Sequence, residues 1–304
     1  MLLDNAAVIP VRKAGDLTLS RERGRSRHIS AASGLVRLGD HLFVVADDEL
    51  GLGVFSLDDA EDGYMVKILD GRPPGGGKAD LESLVALPSF SSYEHGALLA
   101  LGSGSQSDRR SAAFIPLESP SVPSESHLLI DLTDLYEELA RELPALNIEG
   151  ATVHGDLVVL LQRGNDPKAS NARIDLALEA VLSGLERSRS IPASAIASIV
   201  PLDLGRHRGI DLAFSDISGI EDGRLVFVAS TEASGEGVDG KVVGSSLGVM
   251  DPGGEIAFLE PVDIVDKIEG LAARLEPSGI EVLMVVDADD PDSASPLLAA
   301  TLPL

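Results

Sequence analysis

The 304-residue chain contains no cysteine and no tryptophan, and aromatic residues make up only 3% of it. Without cysteine there is no disulfide framework and no thiolate metal site. With so few rings, a platform on which bases or sugars stack is hard to build. Positive charge is scarce as well: 24 Lys and Arg stand against 49 Asp and Glu, a formal net charge of −25. Nucleic acids and anionic membranes need a basic face, so neither is expected as a partner. No apolar stretch approaches the roughly 18 residues of a membrane span. The start, MLLDNAAVIPVRKAGD, meets its first base at Arg12 and lacks a long apolar centre, so it does not read as a secretory signal. The expectation is a cytoplasmic protein with residues 1–304 as one domain.

Hydrophobic residues, at 44%, are plentiful enough for a large core. They come in short runs with a self-similar pattern, a Glu or Ser followed by a small residue and an apolar one. The copies are Ser33-Gly34-Leu35, Glu82-Ser83-Leu84, Glu149-Gly150-Ala151, Ser218-Gly219-Ile220 and Glu269-Gly270-Leu271. Each precedes a second apolar run that ends in a polar cluster, as in HLFVVADDE, DLVVLLQRGN and EVLMVVDADD. The spacing is about 50 to 70 residues, and the distance from the last copy round to the first is similar. Such units, rich in short strands and Gly/Pro/Asp turns, predict an all-β, five-bladed β-propeller with about four strands per blade. In the first unit the strands fall near Ser33–Leu38, His41–Ala46, Gly53–Leu57 and Tyr64–Ile68. The last unit offers three, Ile268–Ala273, Glu281–Val286 and Leu297–Leu302, so the N-terminal AAVIPVR is expected to supply its fourth strand. DLTDLYEELARELPAL (131–146) has helical periodicity and reads as an insertion before the third unit. Residues 171–188 read as a strand that runs into a short helix.

In a propeller the first strand of each blade lines the central channel, so Ser33, Glu82, Glu149, Ser218 and Glu269 are expected to converge on the axis. Three carboxylates there repel one another, so either some hold protons or a cation sits among them. A ring of carboxylate, hydroxyl and carbonyl oxygens suits a hard cation, Ca²⁺ before Mg²⁺. The ends of the second strands emerge beside this ring. There the candidates are Asp47 and Asp48; Ser103, Ser105, Arg109 and Arg110; Gln162, Arg163 and Asn165; Thr231 and Glu232; Asp287 and Asp289, with Lys78 and Asp80 just before Glu82. Such a set round a cation could bind a small anionic ligand, phosphate by its match to arginine forks and loop amides. Hydrolysis would then use the cation as Lewis acid and Asp47 or Asp48 as general base, with Lys78 and Arg163 as the other catalytic candidates.

The ring order Ser, Glu, Glu, Ser, Glu resembles the calcium-activated nucleotidases of the apyrase family. SGLVRLGDHLFVVADDELGLGVF and ILDGRPPGGGKADLESL carry the specific part of that resemblance. It implies a five-bladed propeller, an axial calcium and phosphohydrolase activity. Two features depart from that family: Glu49-Leu50-Gly51 stands where its members have Arg-Thr-Gly, and their tryptophans near the ring are missing. Phytase-like and esterase-like bacterial propellers match as well. Three functions therefore stay open: a calcium-dependent hydrolase of phosphate esters or anhydrides, a propeller esterase or lactonase, and a binding scaffold with structural calcium.

Other motifs fail on inspection. GRPPGGGKA has arginine at the first glycine position of a phosphate loop and leads into a strand. DADDPDSAS lacks the mid-loop glycine and terminal glutamate of an EF-hand. His28, His41, His95 and His127 are isolated and give no zinc spacing. GSGSQ sits among strands rather than at a strand-to-helix elbow.

Overall fold

A computed structural model describes residues 7–20, 27–58, 62–71, 79–166, 168–235, 238–288 and 290–303, without the side chains of 233–235 and 238–241. The chain forms five antiparallel four-stranded blades. Blade I is Ala32–Leu38, His41–Ala46, Gly51–Ser56 and Tyr64–Lys67. Blade II is Leu81–Leu87, Ala97–Gly102, Ser111–Ser119 and Leu128–Asp131. Blade III is Ile148–His154, Leu157–Gln162, Ala172–Ala177 and Ile196–Pro201. Blade IV is Ala213–Gly219, Leu225–Gly235, Val238–Met250 and Ile256–Pro261. Blade V is Lys267–Glu276, Gly279–Asp287, Pro296–Leu302 and, from the other end of the chain, Arg12–Asp16.

The second strand of each blade reads as a continuous Val/Leu/Ile run because both of its faces are covered by neighbouring blades. Leu157–Gln162 is buried at every position but the first. Successive blades share one apolar cluster each. Phe43 and Leu98 belong to the cluster between I and II, Leu101 and Ile148 to that between II and III, and Leu161 and Phe227 to that between III and IV. Val228 and Met284 join IV to V, and Leu35 and Val285 join V back to I. The ring is therefore closed by hydrophobic burial as well as by the N-terminal strand. That strand pairs with Pro296–Leu302 from Arg12↔Ala299 to Asp16↔Pro296. It lies later than the expected AAVIPVR because Pro10 has no N–H to give to a ladder. Ile9 instead bridges to Val262.

Helix α1 (Thr133–Glu142) lies in the segment expected to be helical and buries Leu135, Tyr136 and Leu139 against blades II and III. Asp131 Oδ1 accepts the Thr133 N–H at 2.8 Å, which satisfies an amide of its first turn. Helix α2 (Leu178–Arg187) follows directly on the strand Ala172–Ala177, and Leu185 reaches the same core.

The innermost strands share a feature that places the site. Each breaks its pairing register at the same point, between Ala32 and Gly34, Leu81 and Ser83, Ile148 and Gly150, Phe214 and Asp216, and Ile268 and Gly270. The residue left over in each break is Ser33, Glu82, Glu149, Ser215 or Glu269. A bulge of this kind re-aims a side chain out of the strand's alternation. In four of the five blades the residue after it is glycine or serine. A Cβ added to Gly34 would lie 2.9 Å from Leu84 N, and one on Gly150 3.0 Å from Asp216 Cα, both on the neighbouring blade's backbone.

Candidate functional site

The carboxylates of Glu82, Glu149 and Glu269 each offer one oxygen, and the three oxygens lie within 4.8 Å of one another. Glu149 and Glu269 are buried. They share the mouth with two cationic side chains. Arg163, which follows the second strand of blade III, is 2% exposed and crosses the channel mouth. Its Nη1 lies 3.3 Å from Glu149 Oε2, 3.4 Å from Ser215 Oγ and 3.5 Å from Glu269 Oε1, and its Nη2 lies 2.5 Å from Glu232 Oε1. Lys267 Nζ is 3.1 Å from Glu269 Oε1 and 3.5 Å from Asp287 Oδ2. Asn147 Nδ2 donates to Glu149 Oε1 at 2.5 Å.

Among the described residues, the pocket around them, about 120 Å³, is lined by six carboxylates (Asp47, Glu82, Glu149, Glu232, Glu269 and Asp287) and these two cations. The excess negative charge shows in the titration of the ring. Glu82 is held well above the usual carboxylate range by burial first, and then by repulsion from Glu149, Asp80, Glu269 and Asp47. Burial also pushes Glu149 up to about 8, against the pull of Arg163. The carboxylates in turn raise Arg163 and Lys267 above their ordinary values, so both stay charged.

These shifts fix the sign of a pH effect. Between the ordinary glutamate value of 4.5 and about 8, the folded protein keeps a proton on Glu149 that the unfolded chain has released. Folding stability in the presence of chelator therefore falls as pH rises through that window. The fall attributable to this residue exceeds about 1.4 kcal/mol, the equivalent of one pKa unit, and is absent from Glu149→Gln. Denaturant melts of both proteins at pH 5 and pH 8 measure it.

The remaining expected site residues separate into groups. Asp47, Asn165, Glu232 and Asp287 line the mouth, as does Ser33, whose Oγ lies 2.5 Å from Leu81 O. Asp48 is half-buried one residue beyond Asp47 and does not line the pocket. Ser103, Ser105 and Arg109 gather instead round Asp80: Ser103 Oγ donates to Asp80, Ser105 Oγ lies 2.8 Å from Ser103 Oγ, and Arg109 Nη1 is 2.8 Å from Asp80 Oδ1. Arg110 is paired with Glu137 at 3.3 Å. Gln162 is buried and serves the backbone, accepting from Asn147 N and donating to the carbonyls of Ala145 and Arg163. Thr231 likewise donates to Gly244 O. Lys78 and Asp289 lie outside the described residues.

Ser218 is not at the ring. It sits three residues further along its strand, at the opposite mouth of the channel, where its Oγ accepts the Ala273 N–H of blade V at 3.1 Å. The bulge residue of blade IV is Ser215. The sequence pattern misses it because the next position holds Asp216 where blades I, III and V have glycine, so Ser218-Gly219-Ile220 imitates the repeat. Asp216 is 1% exposed, and its carboxylate accepts Ile217 N at 2.8 Å and Leu271 N of blade V at 2.7 Å.

Lys267 and Asn147 are the other functional candidates the pattern misses. Each stands two residues before a ring glutamate, as Asp80 does before Glu82. That shared offset from the bulge residue is the signal that would have found them.

No curated protein matches the chain. Among solved structures, the α-L-arabinofuranosidase PaAbf62A from Podospora anserina superposes with a TM-score of 0.56 at 10% identity, covering 97% of this chain and 98% of its own. The mannose phosphorylase MPT-4 from Leishmania mexicana gives 0.49 at 13% identity, covering 96% and 89%. A putative gluconolactonase gives 0.43 at 11% identity, covering 98% and 93%. At these identities the likeness is one of fold. The sequence model of a family of unknown function, DUF6929, matches residues 28–302, and the chain belongs to that family.

Proposed function

We propose that the channel mouth binds a divalent cation of calcium's size and that the protein is a calcium-dependent hydrolase of uncharged esters or lactones. One observation carries the cation: three carboxylate oxygens within 4.8 Å of one another, in a pocket where, among the described residues, six carboxylates face two cationic side chains. The donors are hard oxygens, and their spread is one that Ca–O distances of about 2.3–2.6 Å can span. Glu82, Glu149 and Glu269 would hold the ion, and Arg163 and Lys267 would keep the remaining carboxylates neutralised. Bound calcium would supply a Lewis acid for a carbonyl oxygen.

The rest of the chemistry belongs to the chain. Asp47 lines the pocket and would take a proton from water as it attacks. Asn165 at the rim can orient the substrate's oxygen atoms. The net charge of the mouth argues against a phosphate ester. Arg163 is committed to Glu149, Glu269 and Glu232, Arg109 to Asp80, and Arg110 to Glu137. An incoming phosphate would meet carboxylates rather than open guanidinium forks.

A substrate panel of lactones, aryl acetates and phosphate monoesters, each assayed in calcium and in chelator, tests this reading. Calcium-dependent turnover of a lactone or carboxylic ester is expected, with Asp47→Asn lowering kcat at least about 100-fold, the usual worth of a general base. Release of phosphate instead would overturn the ester assignment. No calcium-dependent turnover of any class would overturn the enzymatic reading altogether.

A further inference from the structure

A row of three hydroxyls crosses blade IV from the axis outward. Ser215 is the bulge residue of the innermost strand, and Ser230 and Ser245 face each other on the second and third strands. All three are at most 1% exposed. Ser215 Oγ lies 3.1 Å from Ser230 Oγ, which lies 3.2 Å from Ser245 Oγ, and Ser245 Oγ donates to Asp266 O at 2.9 Å. The place of Ser230 is one residue past the second-strand partner of the last residue before the bulge. The other four blades hold Asp47, Ser103, Arg163 and Asp287 there. Three of those are charged and line the mouth. Blade IV has instead an uncharged row, and buried hydroxyls are tolerated only when they are hydrogen-bonded.

The two ends fix the direction of the row. A backbone carbonyl can only accept, so Ser245 spends its one proton on Asp266 O. Ser230 must then donate to Ser245, and Ser215 to Ser230. That leaves Ser215 with lone pairs alone for the axis. A guanidinium can only donate, and Arg163 Nη1 meets Ser215 Oγ there at 3.4 Å. A donor-only group at one end and an acceptor-only group at the other thus demand the same direction. Hydrogen bonds aligned in such a chain polarise one another. Ser215 therefore offers the ring an oxygen that accepts and does not donate. An electron-poor partner, a guanidinium or a metal ion, fits that end of the row, and an anion does not.

We propose that Ser230 and Ser245 are positioning residues, which hold the Ser215 hydroxyl with its lone pairs toward the ring for Arg163 and for an ion beside it. Their effect on an ion rests on the cation reading of the mouth; the direction of the row does not.

Calcium titration of the chelator-stripped full-length protein, and neutron diffraction from its metal-free, deuterium-exchanged crystals, test the two parts. Ser230→Ala should weaken calcium binding about tenfold, because the Ser215 proton loses its partner and turns to a ring carboxylate that the ion needs. Ser245→Ala should weaken it at least about threefold, although Ser245 does not line the mouth. Ser246→Ala is the control for loss of a buried hydroxyl. Ser246 is as buried as Ser245, its Oγ has no hydrogen-bond partner among the described residues, and its removal should leave the calcium affinity unchanged. In the neutron map the deuterons of Ser215 and Ser230 should point at Ser230 Oγ and Ser245 Oγ. A Ser215 deuteron aimed at Glu149 or Glu269 would overturn the proposal. So would calcium binding by Ser230→Ala and Ser245→Ala that is no weaker than binding by Ser246→Ala. Deuterons in the expected directions, with no calcium uptake by the wild type, would sink the cation reading and leave the row in place.

Discussion

Arg163→Met is expected to destabilise the metal-free protein by about 3–5 kcal/mol, the range found when one partner of a buried ionic set is removed. Methionine fills a similar volume, so the loss is electrostatic rather than a cavity effect. Glu149 and Glu269 are each under 10% exposed, and with Arg163 gone Glu149 keeps the neutral Asn147 as its hydrogen-bond partner among the described residues, with Lys267 as a weaker, more distant charge. Glu269 keeps Lys267 at 3.1 Å. Two conditions should shrink the loss. Glu149 takes up its proton as pH falls below about 8, so the part of the deficit that its charge causes shrinks toward pH 5. Calcium supplies the missing positive charge, so the deficit in millimolar calcium should be smaller than in chelator. Urea midpoints at pH 5 and 8, with and without calcium, give the four numbers required. A deficit below about 1 kcal/mol in chelator at pH 8 would mean that the ring is wet enough for the guanidinium not to matter.

Gly34→Ala is the second large effect, and it is steric. The new Cβ would sit 2.9 Å from Leu84 N, 3.0 Å from Val45 Cγ2 and 3.2 Å from Ser83 C. Two of those atoms are backbone of blade II, so no rotamer change relieves the contact. Blades I and II would have to part across Phe43, Leu84 and Leu98, which are 2% exposed or less. Overpacking of a rigid core costs about 1–3 kcal/mol and sometimes more, and the upper end is expected because backbone opposes backbone. At about 2 °C per kcal/mol for a chain of this size, the midpoint should fall by roughly 6 °C. Gly15→Ala is the control: nothing lies within 4 Å of its Cβ and its backbone is not left-handed, so its effect should stay within about 0.5 kcal/mol. Equal effects at the two sites would contradict the close approach of the innermost strands.

The same glycines explain how much of the fold could be read from the sequence. In four blades the bulge that turns a side chain into the channel is followed by glycine or serine, which writes Glu-Gly, Glu-Ser and Ser-Gly at their heads. Blade IV breaks the rule. Its small position is taken by Asp216, whose carboxylate reaches the Leu271 amide of blade V, so the pattern slid on to Ser218. The helix at Thr133–Glu142 and the strand leading into Leu178–Arg187 were legible because their apolar periodicity was strong. The N-terminal strand lies later than the apolar AAVIPVR predicts because Pro10 has no amide to give to a ladder.

At the site, the three carboxylates were readable and their compensation was not. Arg163 follows a strand end, where position in the sequence cannot say whether a side chain turns to solvent or to the axis. Only the folded ring shows it buried among glutamates from blades III, IV and V. The rim arginines illustrate the converse. Arg109 and Arg110 look available in GSGSQSDRR, yet Asp80 and Glu137, distant in sequence, hold them.

Titration calorimetry of chelator-stripped protein with calcium, and separately with magnesium, tests the cation site most directly. One saturable calcium site is expected, with magnesium binding at least tenfold weaker and with Glu149→Gln or Glu82→Gln abolishing the signal. No binding of either ion to the folded wild-type protein, or calcium binding that survives both substitutions, would contradict it.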